Sequence, residues 1–195
     1  MVGDTGLRAR LVQVGVDLVR SDGAATLTLR EIARRAGVSH GAPRRYFPTH
    51  LALLSEIART GFADLTAQIT QTLADCPDDP RARLAALARR YVDFGCRDRG
   101  MFELMFRHDL LESNHLGLRD SSLPLFEMAV DLISRARPGT GTPPTVLAGA
   151  LWTNLHGIVE LRNWGSLRLA TGTDDVEPLL HAALEAHLGP MRPSP

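Results

Sequence analysis

Arg30, Arg34, Arg35, Arg44 and Arg45 fall close together in this chain, with His40 and Tyr46 set among them. A guanidinium donates two parallel hydrogen bonds from a planar fork, which suits phosphate oxygens and the O6/N7 edge of guanine. Gly41 and Ala42 are small, so a helix carrying them can bring its backbone close to a duplex. This set recognises; it does not make or break bonds.

The elements that must position these side chains are written in residues 28–48. Thr28 is placed to cap a helix, with Glu31 three residues later completing a capping box. Leu29, Ile32, Ala33 and Ala36 give one apolar face. Gly37 follows the last helical residue, where a left-handed cap is cheapest for glycine. Val38 packs the turn and Ser39 caps a second short helix, expected over 39–46. A helix, a tight turn with glycine and a second helix form the helix-turn-helix pattern. Leu7, Leu11, Val14 and Leu18 predict an earlier helix over 7–21 that covers this hairpin, making a three-helix head. Residues 1–6 are small and polar and are expected to fray.

Residues 7–54 resemble the N-terminal DNA-binding domain of TetR-type transcriptional regulators. The resemblance is carried by Thr28…Ile32-Ala33…Ala36-Gly37-Val38-Ser39…Arg44-Arg45-Tyr46-Phe47-Pro48…Leu53-Leu54. The family usually has Tyr where this chain has Arg44, and Lys where it has His50. The resemblance implies phosphate contacts at Thr28, Ser39, Arg44, Tyr46 and His50. His40, Gly41, Ala42 and Arg45 are the expected base-facing residues, and Arg30 completes the DNA-binding set. The implied partner is double-stranded operator DNA, pseudo-palindromic if two copies bind it together.

Composition agrees with this division. The chain has 195 residues and formal net charge zero, yet residues 1–60 carry nine arginines against five acids. A basic head balanced by an acidic body suits a DNA-binding module. There is no lysine, so the abundance of arginine reflects coding bias and is not itself a nucleic-acid signal. Cys76 and Cys96 read as free thiols in a reducing compartment. No signal peptide and no membrane-length apolar run is present, so the expected location is cytoplasmic.

Beyond Pro48, Thr49 caps a long helix predicted to reach residue 74. Further helices are expected near 81–97, at Met101–Phe106, from Leu123-Pro124 to Arg137, over 145–164 and over 175–188. Residues 108–120 read as an irregular connection, 171–174 as a break, and Pro190 to Pro195 as a disordered end. Alternating β-branched runs are absent, so the fold class is all-α. The domains are a helix-turn-helix head over 1–48 and a helical ligand-binding and dimerisation domain over 49–195.

In that second domain Phe94, Met101, Phe102, Met105, Phe106, Phe126, Trp152 and His156 form the most pocket-like set, because methionine and aromatic side chains adapt to irregular apolar ligands. The same residues can equally be ordinary core. Trp152-x-x-x-His156-Gly157 is similar to a Trp-His-Gly motif in one TetR-type subgroup, and the Met101–Phe106 block is similar to it too. That resemblance implies a ligand and dimerisation domain, and the expected effector is a small apolar molecule of unread identity. Helices 145–164 and 175–188 each carry a long apolar side, and two from each copy make a four-helix bundle around a twofold axis. His108, His115, Asp109 and Glu112 fit no metal-ligand spacing, so neither metal nor cofactor is expected. No nucleophile elbow accompanies the Ser, His and Asp residues, so an enzyme is not expected. The reading is a ligand-responsive repressor; its rival is a small-molecule-binding protein or enzyme whose helix-turn-helix does not bind DNA.

Overall fold

The computed structural model describes residues 2–139 and 141–189, with side chains from Gly6 onward. Among these residues the regular structure is eleven α-helices and two short 3-10 turns, with no strand. In order they are α1 (Val2–Asp22), α2 (Leu29–Arg35), α3 (Ala42–Tyr46), α4 (His50–Ala74), α5 (Pro80–Arg97) and α6 (Arg99–Met105). Then follow α7 (His108–Ser113), α8 (Leu118–Ala136), α9 (Pro144–Asn163), α10 (Ser166–Thr171) and α11 (Glu177–Leu188). The expected disorder of Pro190 to Pro195 lies outside the described residues.

The chain divides into two compact units. The first holds the residues up to Asp64 together with Asp98–Ser122; the second holds Leu65–Arg97 and the residues from Leu123 on. Helix α4 supplies residues 50–64 to the first and 65–74 to the second. The first unit buries Leu11, Leu18, Ile32, Phe47, Leu53, Ile57, Phe62 and Phe102. The second buries Leu84, Tyr91, Ile133, Leu151, Val159 and Leu180. No described helix is long and apolar enough to cross a membrane.

Several expectations are corrected. Helix α1 begins at Val2, not residue 7; the added segment holds no proline, and propagation from the buried Leu11–Val19 run carries the helix across Gly3 and Gly6. Residues 108–120 are not an irregular connection: α7 occupies most of the first half. The chain turns at Asn114 and Leu116, both left-handed at φ 46° and 58°. The Asn114 Oδ1 accepts from the Arg119 amide at 2.8 Å. That cap starts α8 at Leu118, wholly buried, so Pro124 lies inside the helix rather than at its start. The segment after α9 holds α10, unread because a single buried residue, Leu167, anchors it. Thr49 caps α4 as expected, accepting from the Ala52 amide at 3.0 Å.

Candidate nucleic-acid interface

The hairpin is built by backbone caps. Thr28 accepts from the Glu31 amide at 3.1 Å, which fixes the start of α2. At its end the Val38 amide reaches the Ala33 carbonyl at 3.0 Å and the Gly37 amide reaches Arg34 at 3.2 Å. This is the paired Schellman closure. It requires a left-handed residue after the helix, and Gly37 supplies φ 64°. Helix α3 is shorter than the expected 39–46. Ser39 does not cap it: the N-cap is Gly41, with no side-chain bond, and only the Ser39 carbonyl accepts, from Ala42 at 2.9 Å. Pro43 at the second helical position needs no amide partner there. Pro43 and Phe47 turn inward, which leaves Arg44 and Arg45 exposed. Tyr46 is half-buried, and His40 and Gly41 are exposed. Gly41 has an ordinary helical φ of −84°, and a Cβ there would meet nothing within 4 Å. The chain's own packing therefore does not demand glycine at this position.

The arginines fall into two groups. Arg34 forks onto Glu31 at 2.8 and 2.6 Å. Arg35 binds Glu31 at 2.9 Å and also Asp22. Both were expected to be on offer, and both are spent inside the head. Glu31 thus misses the capping box, since its carboxylate turns to these arginines. Hydrogen bonds from Arg34 and then Arg35 hold it down at about 2, against an ordinary 4.5. Arg8 lies 2.9 Å from Glu56 and stacks over the Phe47 ring at 5.3 Å. Arg20 bridges Asp98 and Asp64, each at 2.7 Å. By contrast Arg30, Arg44 and Arg45 are exposed and have no ion pair among the described residues. His50 is already engaged: its Nε2 donates to the Leu27 carbonyl at 2.6 Å, pinning the start of α4 to the segment before α2.

The eight pocket-like residues divide between the units. Met101, Phe102 and Met105 are wholly buried in the first, where both methionine sulfurs sit 2.7 Å from where a Cβ on Gly61 would stand. Phe106 meets the Phe62 ring edge-on at 5.5 Å and Phe102 at 4.8 Å. In the second unit lie Phe94, Phe126, Trp152 and His156. There the structure adds a residue the sequence did not single out. Trp152 Nε1 donates to the Tyr91 hydroxyl at 2.9 Å, and that hydroxyl meets His156 Nδ1 at 2.9 Å. Burial raises the Tyr91 phenol and lowers His156, so both are neutral near neutral pH. The Trp-His spacing of the motif therefore clasps a buried tyrosine. A polar aromatic at Tyr91 on an apolar helix face was the available signal.

Comparison with known proteins matches this architecture. Residues 11–57 match the family model described as bacterial regulatory proteins, tetR family, and residues 84–187 match the tetracyclin repressor-like C-terminal domain. The chain belongs to the TetR family of transcriptional regulators, with a DNA-binding and a ligand-binding domain. It is 27% identical over 184 residues to the nucleoid occlusion factor SlmA of Enterobacter sp. strain 638, covering 90% of this chain and 92% of that one. Its fold is similar to a protein of unknown function from Rhodococcus sp. RHA1, with TM-score 0.80, 29% identity and 93% of each chain covered. It shares its fold with AibR, solved in complex with isovaleryl coenzyme A and operator DNA, at TM-score 0.65 and 15% identity. That match covers 95% of this chain and all of AibR (100%).

Proposed function

We propose that this protein is a homodimeric repressor that binds a pseudo-palindromic operator through α3 and is released by a small effector. The observation that carries the reading is the sorting of arginines: Arg30, Arg44 and Arg45 stay exposed and unpaired among the described residues beside a backbone-locked turn. The neighbouring arginines are neutralised by acids of the head. Charge left unpaired next to a glycine that nothing in the fold requires, Gly41, suits a phosphate backbone at close range. Thr28, Ser39 and Tyr46 flank it, and His40, Ala42 and Arg45 face the bases. That the fold neighbour AibR was solved with both operator DNA and an acyl-coenzyme A supports a regulator that takes DNA and a small ligand in one fold. Such an effector lowers DNA affinity only by binding the DNA-incompetent state more tightly.

Dimerisation uses α9 and α11. Val146, Ala150, Thr153, Gly157, Leu161 and Trp164 recur at helical spacing on one side of α9, with Val146 at 56%, Leu161 at 42% and Trp164 at 62% exposure. A Cβ on Gly157 would meet nothing within 4 Å, so that glycine leaves room for another helix.

The test is a gel-shift titration on the DNA upstream of the gene, with Arg44→Ala and Arg45→Ala, at several salt concentrations. Each lost phosphate contact flattens the slope of log affinity against log salt by about one unit. Unchanged slope and affinity in both variants would remove α3 from the interface.

A further inference from the structure

His50 stands where the resemblance implied a phosphate contact, yet its ring is already bonded to the protein's own backbone. Nε2 lies 2.6 Å from the Leu27 carbonyl. A carbonyl oxygen only accepts, so Nε2 carries the hydrogen in the neutral ring and in the charged one alike. In the neutral ring Nδ1 is then an acceptor, and its lone pair repels a phosphate oxygen.

The bond also serves Leu27, which is only 2% exposed. The Leu27 amide reaches the Ala24 carbonyl at 3.3 Å, but the Leu27 carbonyl receives no backbone amide among the described residues. The α2 ladder starts one residue later, where the Thr28 carbonyl accepts from the Ile32 amide at 3.0 Å. A carbonyl left out of the ladder in a buried residue needs another donor, and His50 provides it.

The two partners bracket the helix-turn-helix. Leu27 directly precedes Thr28, the cap of α2, and His50 directly follows Thr49, the cap of α4. Arg30, Arg44 and Arg45 all lie between them. One side-chain bond across 23 positions therefore closes the segment that carries the proposed DNA-facing groups into a loop. His50 itself is exposed, so replacing it takes nothing from the core.

We propose that His50 is a positioning residue: it ties the start of α4 to the Leu27 carbonyl, sets where α3 stands relative to the cap of α2, and does not grip a phosphate. That this placement governs operator affinity rests on the DNA-binding reading above; the tie itself does not.

The test compares the full-length protein with His50→Ala, His50→Asn and His50→Gln. Glutamine carries its amide nitrogen as many bonds from Cβ as Nε2 lies, and asparagine as many as Nδ1 lies. Glutamine therefore keeps the tie and asparagine loses it. Free of DNA and at mildly alkaline pH, nitrogen NMR of the His50 ring finds the hydrogen on Nε2; a hydrogen on Nδ1 overturns the tie. Exchange of the Ile32 amide quickens by up to about tenfold in the Ala and Asn variants and stays at the wild-type rate in His50→Gln. Equal exchange in all four proteins, or equal quickening in all three variants, overturns it too. In gel shifts on the upstream DNA the Ala and Asn variants bind up to about tenfold more weakly at unchanged salt slope, and His50→Gln binds as wild type. Retained affinity in His50→Asn with loss in His50→Gln, or a slope flattened by about one unit in His50→Ala, assigns His50 to a phosphate and overturns the positioning role. Equal affinity in all four removes that role as well. If the wild type binds no DNA, the repressor reading falls and the tie is judged by the ring hydrogen and the Ile32 exchange alone.

Discussion

Glu31 decides how much positive charge the head presents. It is half-buried, and Arg34 and Arg35 keep it ionised far below the ordinary glutamate range. The pairing is intact above the unfolded value of 4.5 and is lost as pH falls through about 2. A carboxyl-observed NMR titration will place Glu31 near 2; a midpoint in the ordinary range would show that the fork is not held in solution. Glu31→Gln frees Arg34 and leaves Arg35 only its pair with Asp22, so operator affinity rises and its salt dependence steepens by about one unit. Tyr91 plays the corresponding part in the second unit. Tyr91→Phe strips a partner from Trp152 Nε1 and from His156 Nδ1, and lowers stability by ~1–3 kcal/mol in urea unfolding. Unaltered stability would mean that water serves both groups equally well. His156, depressed by burial, adds a pH dependence of known sign: stability is full above its unfolded 6.5 and falls as pH drops below it.

At the level of elements, two glycines act for different reasons. Gly37 is needed for its left-handed φ, which closes α2 and aims the turn. Gly100 is needed for space. A Cβ there would lie 2.2 Å from the Val19 carbonyl oxygen, so α6 meets the end of α1 backbone to backbone. The Arg20 bridge to Asp98 and Asp64 draws α6 and α4 to the same end of α1. Gly100→Ala must push α6 off α1 and costs about 1–3 kcal/mol, the usual toll of overpacking. A lowered midpoint at unchanged denaturant slope will report it, and wild-type stability would show that α6 is not seated there. The capping chemistry of these elements was largely legible. Thr28, Gly37 and Thr49 each make the contact their residue type and position predict. Ser39 did not, because Pro43 and the Ser39 carbonyl set the start of α3 later than the hydroxyl could reach. Helix α8 was misjudged because Asn114, not Pro124, supplies the starting signal.

For the whole molecule the question is partnership between copies. The outward stripe of α9, from Val146 to Trp164, leaves large apolar side chains in water in the single chain. Burying them against a twofold mate removes that surface from solvent at ~25 cal/mol per Å². Light scattering will therefore give twice 21.2 kDa for the native protein. Leu161→Arg with Trp164→Arg sets like charges against each other across the twofold and yields monomer. In the proposed reading two heads share one operator, so the same double variant loses affinity for the full site far more than for a half-site. A persistent dimer, or equal loss on both sites, would place the interface elsewhere.

Local chemistry settled much of this protein before any folding: the all-helical class, the turn at Gly37, the cap at Thr49 and the cluster of arginines. Each depends on residues within a few positions of one another, where periodicity and capping act directly. Which arginines remain available was decided only in three dimensions. Glu31 reaches its neighbours along a helix, but Asp22, Asp64, Asp98 and Glu56 are brought to Arg35, Arg20 and Arg8 by packing between helices. The Tyr91 clasp and the His50 bond to Leu27 have the same origin. A side chain's partner across sixty residues is fixed by how apolar faces stack, and no local spacing encodes that.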